Sequence, residues 1–253
     1  AYRMLKSIID EGNFDIIHCH TPVGAMLARL AAMDARKKGT KVIYTAHGFH
    51  FFTGAPLINW LAFYPAEKLL APLTDVLITI NKEDFARAQK KIPAKRLEYV
   101  PGVGINTHKF RREAMDPVAK RRELGYGEED FLILTVAEMT PNKNHITMLN
   151  ALALLKDKKE FSNIHYLICG RGEMWESLEN SAKELGISDH VNFLGYRSDA
   201  PELYHCSDMF AFISFREGLS VALMEAMSCA MPIMCTRIRG NTDLVEDGVS
   251  GIF

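Results

Sequence analysis

Residues 208–236 read DMFAFISFREGLSVALMEAMSCAMPIMCT, and the fold class follows from this one stretch. The runs 208–213 and 232–236 are short and apolar, which is typical of buried strands. The segment between them is apolar on nearly every side, which is typical of a buried helix. A strand, a helix and a second strand in this order predict a parallel sheet with helices on both faces.

The same alternation of apolar runs and helix-length segments continues along almost the whole chain. Seven further strand candidates lie at 15–19, 41–47, 75–80, 97–100, 131–137, 164–169 and 190–194. The alternation is interrupted between about residues 101 and 128, where glycine, proline and charged residues are concentrated, and we place a linker there. We therefore predict an α/β chain of two Rossmann-like domains, 1–110 and 111–253, that face a cleft with ligands at the carboxyl ends of their strands.

Both ends of the sequence resemble interior segments of a longer chain. It starts without methionine inside a helix-like stretch, and it stops at Gly251-Ile252-Phe253, which has the character of an opening strand. We therefore expect both domains to be truncated.

The composition is that of an ordinary soluble protein without a dominant charge. Thirty basic and thirty-one acidic side chains leave a net charge of −1. No global field therefore recruits nucleic acid, and we expect no nucleic-acid partner. The five cysteines form no CxxC pair and fall mostly in apolar stretches, which is typical of reduced core residues in a cytosolic protein.

The most apolar region, residues 49–73, is too interrupted to cross a membrane. A spanning helix needs roughly 18 apolar residues or more in a row, and this region contains Asn59, Glu67, Lys68 and three prolines. It is suited to touching a membrane surface, and we expect no signal peptide. The sequence predicts a cytoplasmic protein and leaves open a peripheral contact with the inner face of the membrane.

Several nucleotide- and metal-binding motifs are missing from the sequence. It has no GxxxxGK[ST] P-loop, no GxSxG, no HExxH and no Asp-x-Asp pair that would hold a divalent metal. In CGRGEMWE, Gly170 and Gly172 follow a strand, but the third glycine of a dinucleotide fingerprint is lacking. These two glycines either bring a helix N-terminus to an anionic ligand or only form the turn.

Polar residues follow two other strand candidates, 131–137 and 41–47. Lys143 stands beside a predicted helix start with Asn142 or Asn144 as the cap, where it either assists an anionic ligand or is a solvated loop lysine. His47, followed by a glycine, either faces a ligand or is a structural histidine.

The segment HCHTPVGAML also runs from a strand into a helix. Its residues His20, Thr21 and Gly24 either line a cleft or only make the turn. The residue types alone leave both alternatives open.

The segment FREGLSVALMEA carries a more specific combination. Gly218, Leu219 and Ser220 open a helix, and the free N–H groups of such a first turn bind anions. Glu225 lies about one and a half turns further on, where a carboxylate can accept two hydrogen bonds from a vicinal diol. A ribose next to a phosphate fits this arrangement, and Glu217 precedes it. The alternative is a buried glutamate bonded to the backbone or to an arginine, whereas a ligand-binding Glu225 should be held by water or a polar neighbour at a cleft.

Taken together and in this order, these segments resemble the retaining glycosyltransferases of family 4, which have the GT-B fold. The blocks DIIHCHTP, TAHGFHF, TPNKNH, FREGLSVALMEAMSCAMPI and LVEDGVSGIF carry the resemblance, and the exopolysaccharide, capsule and lipopolysaccharide enzymes of bacteria are the most similar group. The most specific feature is the Glu217-x7-Glu225 pattern inside its block.

The resemblance implies that 1–110 is the acceptor-side domain, with His20, Thr21 and Gly24 as possible acceptor-side residues, and that 111–253 is the nucleotide-sugar donor domain.

It also implies a role for each remaining candidate in a donor site. Glu225 would hold the ribose hydroxyls of the donor, and Glu217 would contact the transferred sugar and the reaction centre. The backbone of Gly218, Leu219 and Ser220 would meet the diphosphate.

Further roles come from outside this helix. Lys143 would neutralise the leaving diphosphate, and His47 would reach the donor sugar. Tyr196 and Arg197 would lie beside the nucleobase. With a lysine and helix amides on the diphosphate, the transfer would need neither a metal nor a cofactor.

The sequence departs from the family pattern at one charged position. The family often has an arginine five residues before the lysine, and this chain has Glu138 there. The second cation of the diphosphate site is therefore open, with Arg216 and Arg171 as candidates. The glycine-rich loop near the amino terminus of the family is also absent from this sequence.

The expected activity is metal-independent, retaining transfer of a hexosyl or N-acetylhexosaminyl group from a UDP-linked donor. The expected acceptor is a glycan or a polyprenyl-linked sugar in cell-surface polysaccharide synthesis. Two alternatives stay open, namely a nucleotide-sugar epimerase on the same fold and a non-catalytic nucleotide- or glycan-binding module.

Overall fold

The computed structural model describes residues 1–111 and 116–253, which form two compact units, Ala1–Val103 and Gly104–Phe253. This boundary precedes the predicted one, which follows residue 110. Phe110 explains the difference, because its side chain is buried in the core of the second unit and its carbonyl accepts a hydrogen bond from Ser228. Four residues of the predicted linker, 112–115, lie outside the described residues.

The first unit contains a four-stranded parallel sheet in the order β1-β2-β3-β4. Its strands are β1 (Ile16–His20), β2 (Lys41–Ala46), β3 (Val76–Thr79) and β4 (Leu97–Tyr99). Its helices are α1 (Tyr2–Gly12), α2 (Pro22–Ala31), α3 (Met33–Lys37), α4 (Leu57–Leu70) and α5 (Lys82–Lys91). All four strand predictions for this unit are confirmed to within one residue at each end.

The second unit contains a five-stranded parallel sheet in the order β7-β6-β5-β8-β9. Its strands are β5 (Phe131–Val136), β6 (Ile164–Cys169), β7 (Val191–Gly195), β8 (Met209–Phe212) and β9 (Ile233–Cys235). The helices described in it are α6 (Pro117–Glu123), α7 (His145–Leu155), α8 (Trp175–Glu184), α9 (Ala200–Cys206), α10 (Val221–Ser228) and α11 (Asn241–Leu244). The predicted strand–helix–strand unit of 208–236 is β8-α10-β9, with its strands parallel.

Side-chain caps fix where two of the helices begin. Asn81 caps α5, because its side-chain oxygen accepts a hydrogen bond from the N–H of Asp84 at 2.8 Å. Asp116 caps α6 in the same way, and Pro117 occupies the first helical position, where its missing N–H costs nothing.

The core of the second unit lies on both faces of its sheet. Leu132 and Leu134 of β5 pack into one buried cluster, whereas Ile133 between them packs into the other. Adjacent strand residues therefore cover opposite faces, and the continuous apolar run of β5 is explained by helices on each side.

Two further predictions concern the cysteines and the membrane. All five cysteines are buried free thiols, which agrees with their interpretation as core residues. Within 1–111 and 116–253, no helix is long and apolar enough to cross a membrane.

Candidate functional site

The strand order of the second unit creates a topological switch point between β5 and β8. β5 pairs with β6 on one side and with β8 on the other. The helices that follow pack on opposite faces, because Leu149 of α7 and Leu223 of α10 belong to different core clusters. Ligands of open α/β sheets bind at the carboxyl ends of strands next to such a point. A ligand site is therefore expected at the loops after β5 and β8.

Lys143 and Glu217 meet at this switch point. The Nζ atom of Lys143 lies 2.8 Å from Oε1 of Glu217, and the two side chains are 21% and 12% exposed. The ammonium group also lies 5.1 Å from the ring centroid of Phe212 at the end of β8. The sequence separates the two charged residues by 74 positions, so their pairing follows from the sheet order and not from any local pattern.

The two loops that carry this ion pair are tied to each other by the backbone. The N–H of Phe215 donates to the carbonyl of Asn142 at 2.9 Å, and the side-chain amide of Asn142 donates to the carbonyl of Arg216 at 3.1 Å. Asn144, rather than Asn142, takes the N-cap position of α7. Its side-chain oxygen accepts a hydrogen bond from Thr147 Oγ1 at 2.9 Å and makes no capping bond to the backbone.

Sequence reasoning missed two residues that support Glu217 from the loop after β9. Nε of Arg239 donates to the carbonyl of Glu217 at 3.0 Å. Gly240 has φ +83°, and a Cβ atom there would lie 2.4 Å from the carbonyl oxygen of Gly218. Only glycine fits this close approach. A glycine four residues after the end of a predicted strand was the available signal.

The three residues just before α10 present amide groups next to Glu217. Ser220 is the N-cap, and its Oγ accepts a hydrogen bond from the N–H of Leu223 at 3.3 Å. Within the described parts of the chain, the N–H groups of Gly218, Leu219 and Ser220 donate no hydrogen bond to the protein. These amides and Lys143 form an electropositive group suited to an anion.

Glu225 lies on α10 and is half-buried, with Oε2 accepting a hydrogen bond from the Tyr204 hydroxyl at 3.1 Å. Burial raises the pKa of Glu225, while the Tyr204 hydrogen bond and the charge of Lys109 act in the opposite direction. Burial and the neighbouring Glu225 raise the pKa of the Tyr204 hydroxyl well above its usual value, so the group remains a donor. Its single proton is shared with the carbonyl of Ala222 at 3.2 Å.

The state of Glu225 matches the expectation for a ligand-binding carboxylate in two respects. It is held by a polar neighbour, and it is not sealed in the core. Sequence reasoning did not single out Tyr204, because it stands at an ordinary buried position of α9.

Gly170 and Gly172 have a structural reason for being glycines. A Cβ atom at Gly170 would lie 1.9 Å from the carbonyl oxygen of Ala137, and one at Gly172 would lie 2.3 Å from that of Met139. The turn therefore packs directly against the loop that leads from β5 to Lys143. This contact favours the turn-forming alternative, and a donor-binding role for the two glycines stays a prediction.

Tyr196 and Arg197 follow β7 at the same edge of the sheet. The side chain of Tyr196 is 76% exposed. The guanidinium of Arg197 is held by Asp199 through two hydrogen bonds, 2.8 Å from Nε to Oδ1 and 2.5 Å from Nη2 to Oδ2. The side chain is therefore already paired, and the position of Tyr196 and Arg197 beside a nucleobase stays a prediction.

In the first unit, the structure brings His20 and His47 together at the carboxyl ends of β1 and β2. Nδ1 of His20 lies 2.8 Å from Nε2 of His47, so one ring donates to the other. The ring of His18 is tilted by 38° against that of His20, with ring centroids 4.3 Å apart. Partial burial, and then the neighbouring His20 and His18, lower the pKa of His47. His47 is therefore neutral near pH 7.

Thr21 and Gly24 form the start of α2. Thr21 has φ +62°, a left-handed conformation that is costly for a β-branched residue. A Cβ atom at Gly24 would lie 3.2 Å from Oγ1 of Thr21, so the glycine gives this side chain room. The predicted acceptor-side role of His20, Thr21 and Gly24 stays a prediction.

The second cation of the diphosphate site stays unassigned. Glu138 is exposed, and its carbonyl accepts a hydrogen bond from His145. Arg216 and Arg171 are both exposed, in the loops after β8 and β6. No group of three or more potential metal ligands occurs among the residues that the structure describes.

Sequence models of two glycosyltransferase families match this chain. The model of glycosyl transferases group 1 matches residues 118–253, and that of glycosyltransferase family 4 matches residues 1–108. The chain belongs to the glycosyltransferases of these families, which confirms the resemblance read from its sequence blocks.

Two relatives show how far the similarity extends. EpsD of Bacillus subtilis, a protein named as a glycosyltransferase, is 44% identical over 99% of this chain and 66% of its own length. An Escherichia coli galactosyltransferase, named for UDP-Gal and α-D-GlcNAc-diphosphoundecaprenol, is 27% identical over 99% of this chain and 64% of its own length. The chain thus spans about two thirds of these relatives.

Solved structures share the fold of the chain. The Anabaena protein HepE in complex with UDP and glucose has a TM-score of 0.83 at 20% identity, covering 99% of this chain and 67% of HepE. Sucrose-phosphate synthase from Thermosynechococcus elongatus has a TM-score of 0.79 at 17% identity, covering 99% and 63%. The predicted α/β architecture of GT-B type is confirmed by these likenesses.

Proposed function

We propose that the whole protein is a retaining glycosyltransferase that transfers a sugar from a UDP-linked donor to a glycan or polyprenyl-linked acceptor. One observation carries the proposal. The Lys143–Glu217 pair lies at the switch point of the second unit, beside the amides of Gly218–Ser220 just before α10, which donate to no protein group among the described residues. Glu225 follows on the same helix with a polar partner and partial exposure.

Each group has a defined task in this proposal. Lys143 and the amides of Gly218–Ser220 stabilise the negative charge that develops on the departing diphosphate. Glu225 accepts hydrogen bonds from the two ribose hydroxyls, which fixes the nucleotide along α10. Glu217 then lies where the diphosphate ends and the sugar begins.

Retention of configuration follows if the acceptor attacks the face that the diphosphate leaves. The acceptor oxygen forms a bond to the anomeric carbon while the bond from that carbon to the diphosphate oxygen breaks. The acceptor proton passes to an oxygen of the departing phosphate. The cationic and amide groups already present supply the charge stabilisation, so the proposal includes no metal.

The names of similar proteins support the choice of donor and acceptor. HepE was solved with UDP, and the Escherichia coli relative is named for a UDP-linked galactose and a diphosphoundecaprenol-linked sugar. We extend this chemistry to cell-surface polysaccharide synthesis at the inner face of the membrane, with the protein in peripheral contact.

Calorimetric titration of the whole protein with UDP, GDP and ADP tests the donor site. We expect UDP to bind, and Glu225→Ala to weaken binding at least about tenfold, since hydrogen bonds to a charged group contribute about 1.5–3 kcal/mol. Glu184→Ala, an exposed glutamate on α8, is the matched control and should leave the affinity unchanged.

The reaction type needs a second measurement. Labelled donor is incubated with and without a polyprenyl-diphosphate sugar, and the products are separated. Transfer that depends on the acceptor supports the proposal, whereas an epimerised donor formed without any acceptor would show an epimerase. Nucleotide binding without turnover in either case would show a binding module.

A further inference from the structure

The first unit holds two histidine rings in hydrogen-bond contact at the carboxyl edge of its sheet. His20 is the last residue of β1, and His47 follows the last residue of β2. Nδ1 of His20 lies 2.8 Å from Nε2 of His47, and the ring planes are inclined by 39°. This distance is that of a hydrogen bond, so a single proton lies between the two nitrogen atoms.

The sheet and its connections hold both rings in place. β1 and β2 pair in parallel with His20 opposite Thr45, which brings His47 beside the end of β1. His18 lies on the same face of β1 as His20, and its Nε2 is 2.8 Å from Oγ1 of Thr45. After His47, the N–H of Phe49 donates to a carboxylate oxygen of α5 at 3.0 Å. The contact between the two rings therefore follows from the register of the sheet.

When both rings are neutral, two directions are open to the shared proton. If Nε2–H of His47 donates to Nδ1 of His20, both rings carry their protons on Nε2. If Nδ1–H of His20 donates to Nε2 of His47, both rings carry their protons on Nδ1. Because a neutral histidine side chain in water prefers the Nε2–H tautomer, the first direction is the more stable one.

The first direction leaves Nδ1 of His47 as a hydrogen-bond acceptor. Among the residues that the structure describes, this atom has no hydrogen-bond partner, and the side chain is only partly buried. Open parallel sheets bind their ligands at this edge. The phosphate oxygens of a nucleotide sugar carry no proton at neutral pH and cannot donate to Nδ1, whereas sugar hydroxyls can. The acceptor therefore suits a sugar hydroxyl and not a phosphate.

We propose that His20 is a positioning residue, which accepts a hydrogen bond from Nε2–H of His47 and thereby presents Nδ1 of His47 to a hydroxyl group of a bound sugar. His20 itself does not touch the sugar. The inference deepens the proposed function and rests on it, because the sugar belongs either to the donor or to the acceptor. Kinetics with each substrate varied in turn distinguish these two sources.

Two substitutions at His20 test the hydrogen bond in the whole protein. His20→Asn places an amide oxygen where Nδ1 lies, so Nε2–H of His47 keeps an acceptor, whereas His20→Leu removes the acceptor. We expect His20→Leu to lower kcat/KM about tenfold for the substrate that carries the hydroxyl. His20→Asn should stay within about threefold of the wild type. UDP affinity should be unchanged in both variants, because UDP carries no sugar to be transferred.

His108→Leu is the matched control for these variants. His108 is an exposed histidine like His20, but it belongs to the second unit. Its substitution should leave kcat/KM unchanged for both substrates. Because the altered side chains are exposed, thermal melting should show wild-type folding for all three variants.

NMR spectroscopy of isotopically labelled histidine nitrogens measures the tautomer without any turnover. At neutral pH, the wild type and His20→Asn should both show His47 protonated on Nε2. In His20→Leu, the signals of His47 should shift toward a mixture of the two tautomers, because the acceptor that selects one of them is gone. His47→Gln identifies the signals of this ring by their disappearance.

The inference fails on any of three results. His47 of the wild type carries its proton on Nδ1, or His20→Leu keeps the wild-type kcat/KM values, or His20→Asn loses as much as His20→Leu. The last result would show that the volume of His20 matters and its acceptor does not. A wild type without acceptor-dependent transfer would defeat the proposed function, and the tautomer of His47 would then decide the role of His20. Acceptor-dependent transfer with unaffected His20 variants would defeat this inference alone.

Discussion

At Glu225, one hydrogen bond from Tyr204 stabilises the ionised form of a half-buried carboxylate. Burial on α10 raises its pKa, and the hydroxyl of Tyr204 partly offsets that effect by donating to the ionised form. The residue was recognised from sequence as an isolated charge in an apolar helix. Its partner could not be recognised, since Tyr204 is 21 positions away and becomes a neighbour only through packing.

Tyr204→Phe should therefore weaken UDP binding without abolishing it. We expect a loss of about three- to tenfold at neutral pH, less than the direct loss of a hydrogen bond to a charged group, because Tyr204 bonds Glu225 and acts on the nucleotide only through it. Removing the donor raises the pKa of Glu225 further, so the decline in UDP affinity on acidification should begin at a higher pH than in the wild type. Dissociation constants measured from pH 5.5 to 8 check both effects.

The control for this variant is Tyr2→Phe, which changes an exposed tyrosine of α1. A Tyr204→Phe protein with a lower affinity but an unshifted pH profile would show that the hydroxyl only supports packing. That result would contradict the assignment of Tyr204 as a positioning residue.

At the scale of elements, local signals determined what could be predicted. The strands were predictable because the strands of a parallel sheet are buried on both faces and therefore stand out in the sequence as short continuous apolar runs. The N-cap of α5 was predictable because Asn81 and Asp84 have the residue types and spacing of a capped first turn. The order β7-β6-β5-β8-β9 was not, since pairing between distant strands leaves no local pattern.

The loop after β9 supports the loop before α10, and this contact gives a prediction about two elements. Gly240→Ala would place a Cβ atom 2.4 Å from the carbonyl oxygen of Gly218, in a backbone with φ +83°. We expect a loss of about 2–4 kcal/mol in the free energy of unfolding, from clash and strain together. Weaker UDP binding should accompany it, because the amides of α10 are displaced.

Gly186→Ala is the matched control for this variant. Gly186 also has positive φ, +69°, but a Cβ atom there meets nothing within 4 Å. Strain alone should cost about 1 kcal/mol, with UDP affinity unchanged. Equal urea midpoints for the two variants would rule out the close approach as the reason for Gly240.

Buried histidines in both units make the free energy of unfolding depend on pH in the same direction. Burial is the largest cause that lowers the pKa of five histidines below the usual 6.5, namely His18, His47, His145, His165 and His205. Since their pKa values are lower in the folded state, the unfolded chain binds protons first as the pH falls. The free energy of unfolding should therefore decrease as the pH falls below about 6.5, by at most about 1.4 kcal/mol per pH unit for each histidine.

Urea unfolding at pH 7.5, 6.5 and 5.5 measures this response. His145→Gln should flatten the dependence on pH, whereas His108→Gln, at an exposed position, should not. Carboxylates act in a separate range, since hydrogen bonds from Lys6 and Lys37 lower the pKa of Asp34 to about 2 and its contribution is lost only at pH below its usual 3.8. A urea midpoint that does not change between pH 7.5 and 5.5 would refute the prediction.

The family and the fold class of the whole chain were readable from sequence because both rest on ordered blocks of residues. The unit boundary was placed too late because Phe110 stands in a polar, glycine-rich segment although its side chain belongs to the second core. The apolar character of 49–73 was visible, but which side of α4 faces solvent depends on the anchoring of Trp60 and Glu67.

The ion pair of Lys143 with Glu217 has a consequence for the rate of turnover. In the proposed donor site, a diphosphate that binds Lys143 must separate it from the Glu217 carboxylate 2.8 Å away. This separation lowers the net free energy of diphosphate binding. The same carboxylate can recapture the lysine after transfer, which shortens the residence time of the nucleotide product. Under the proposed function, Glu217 lowers the affinity of the site for the nucleotide product, and we expect Glu217→Gln to slow its release.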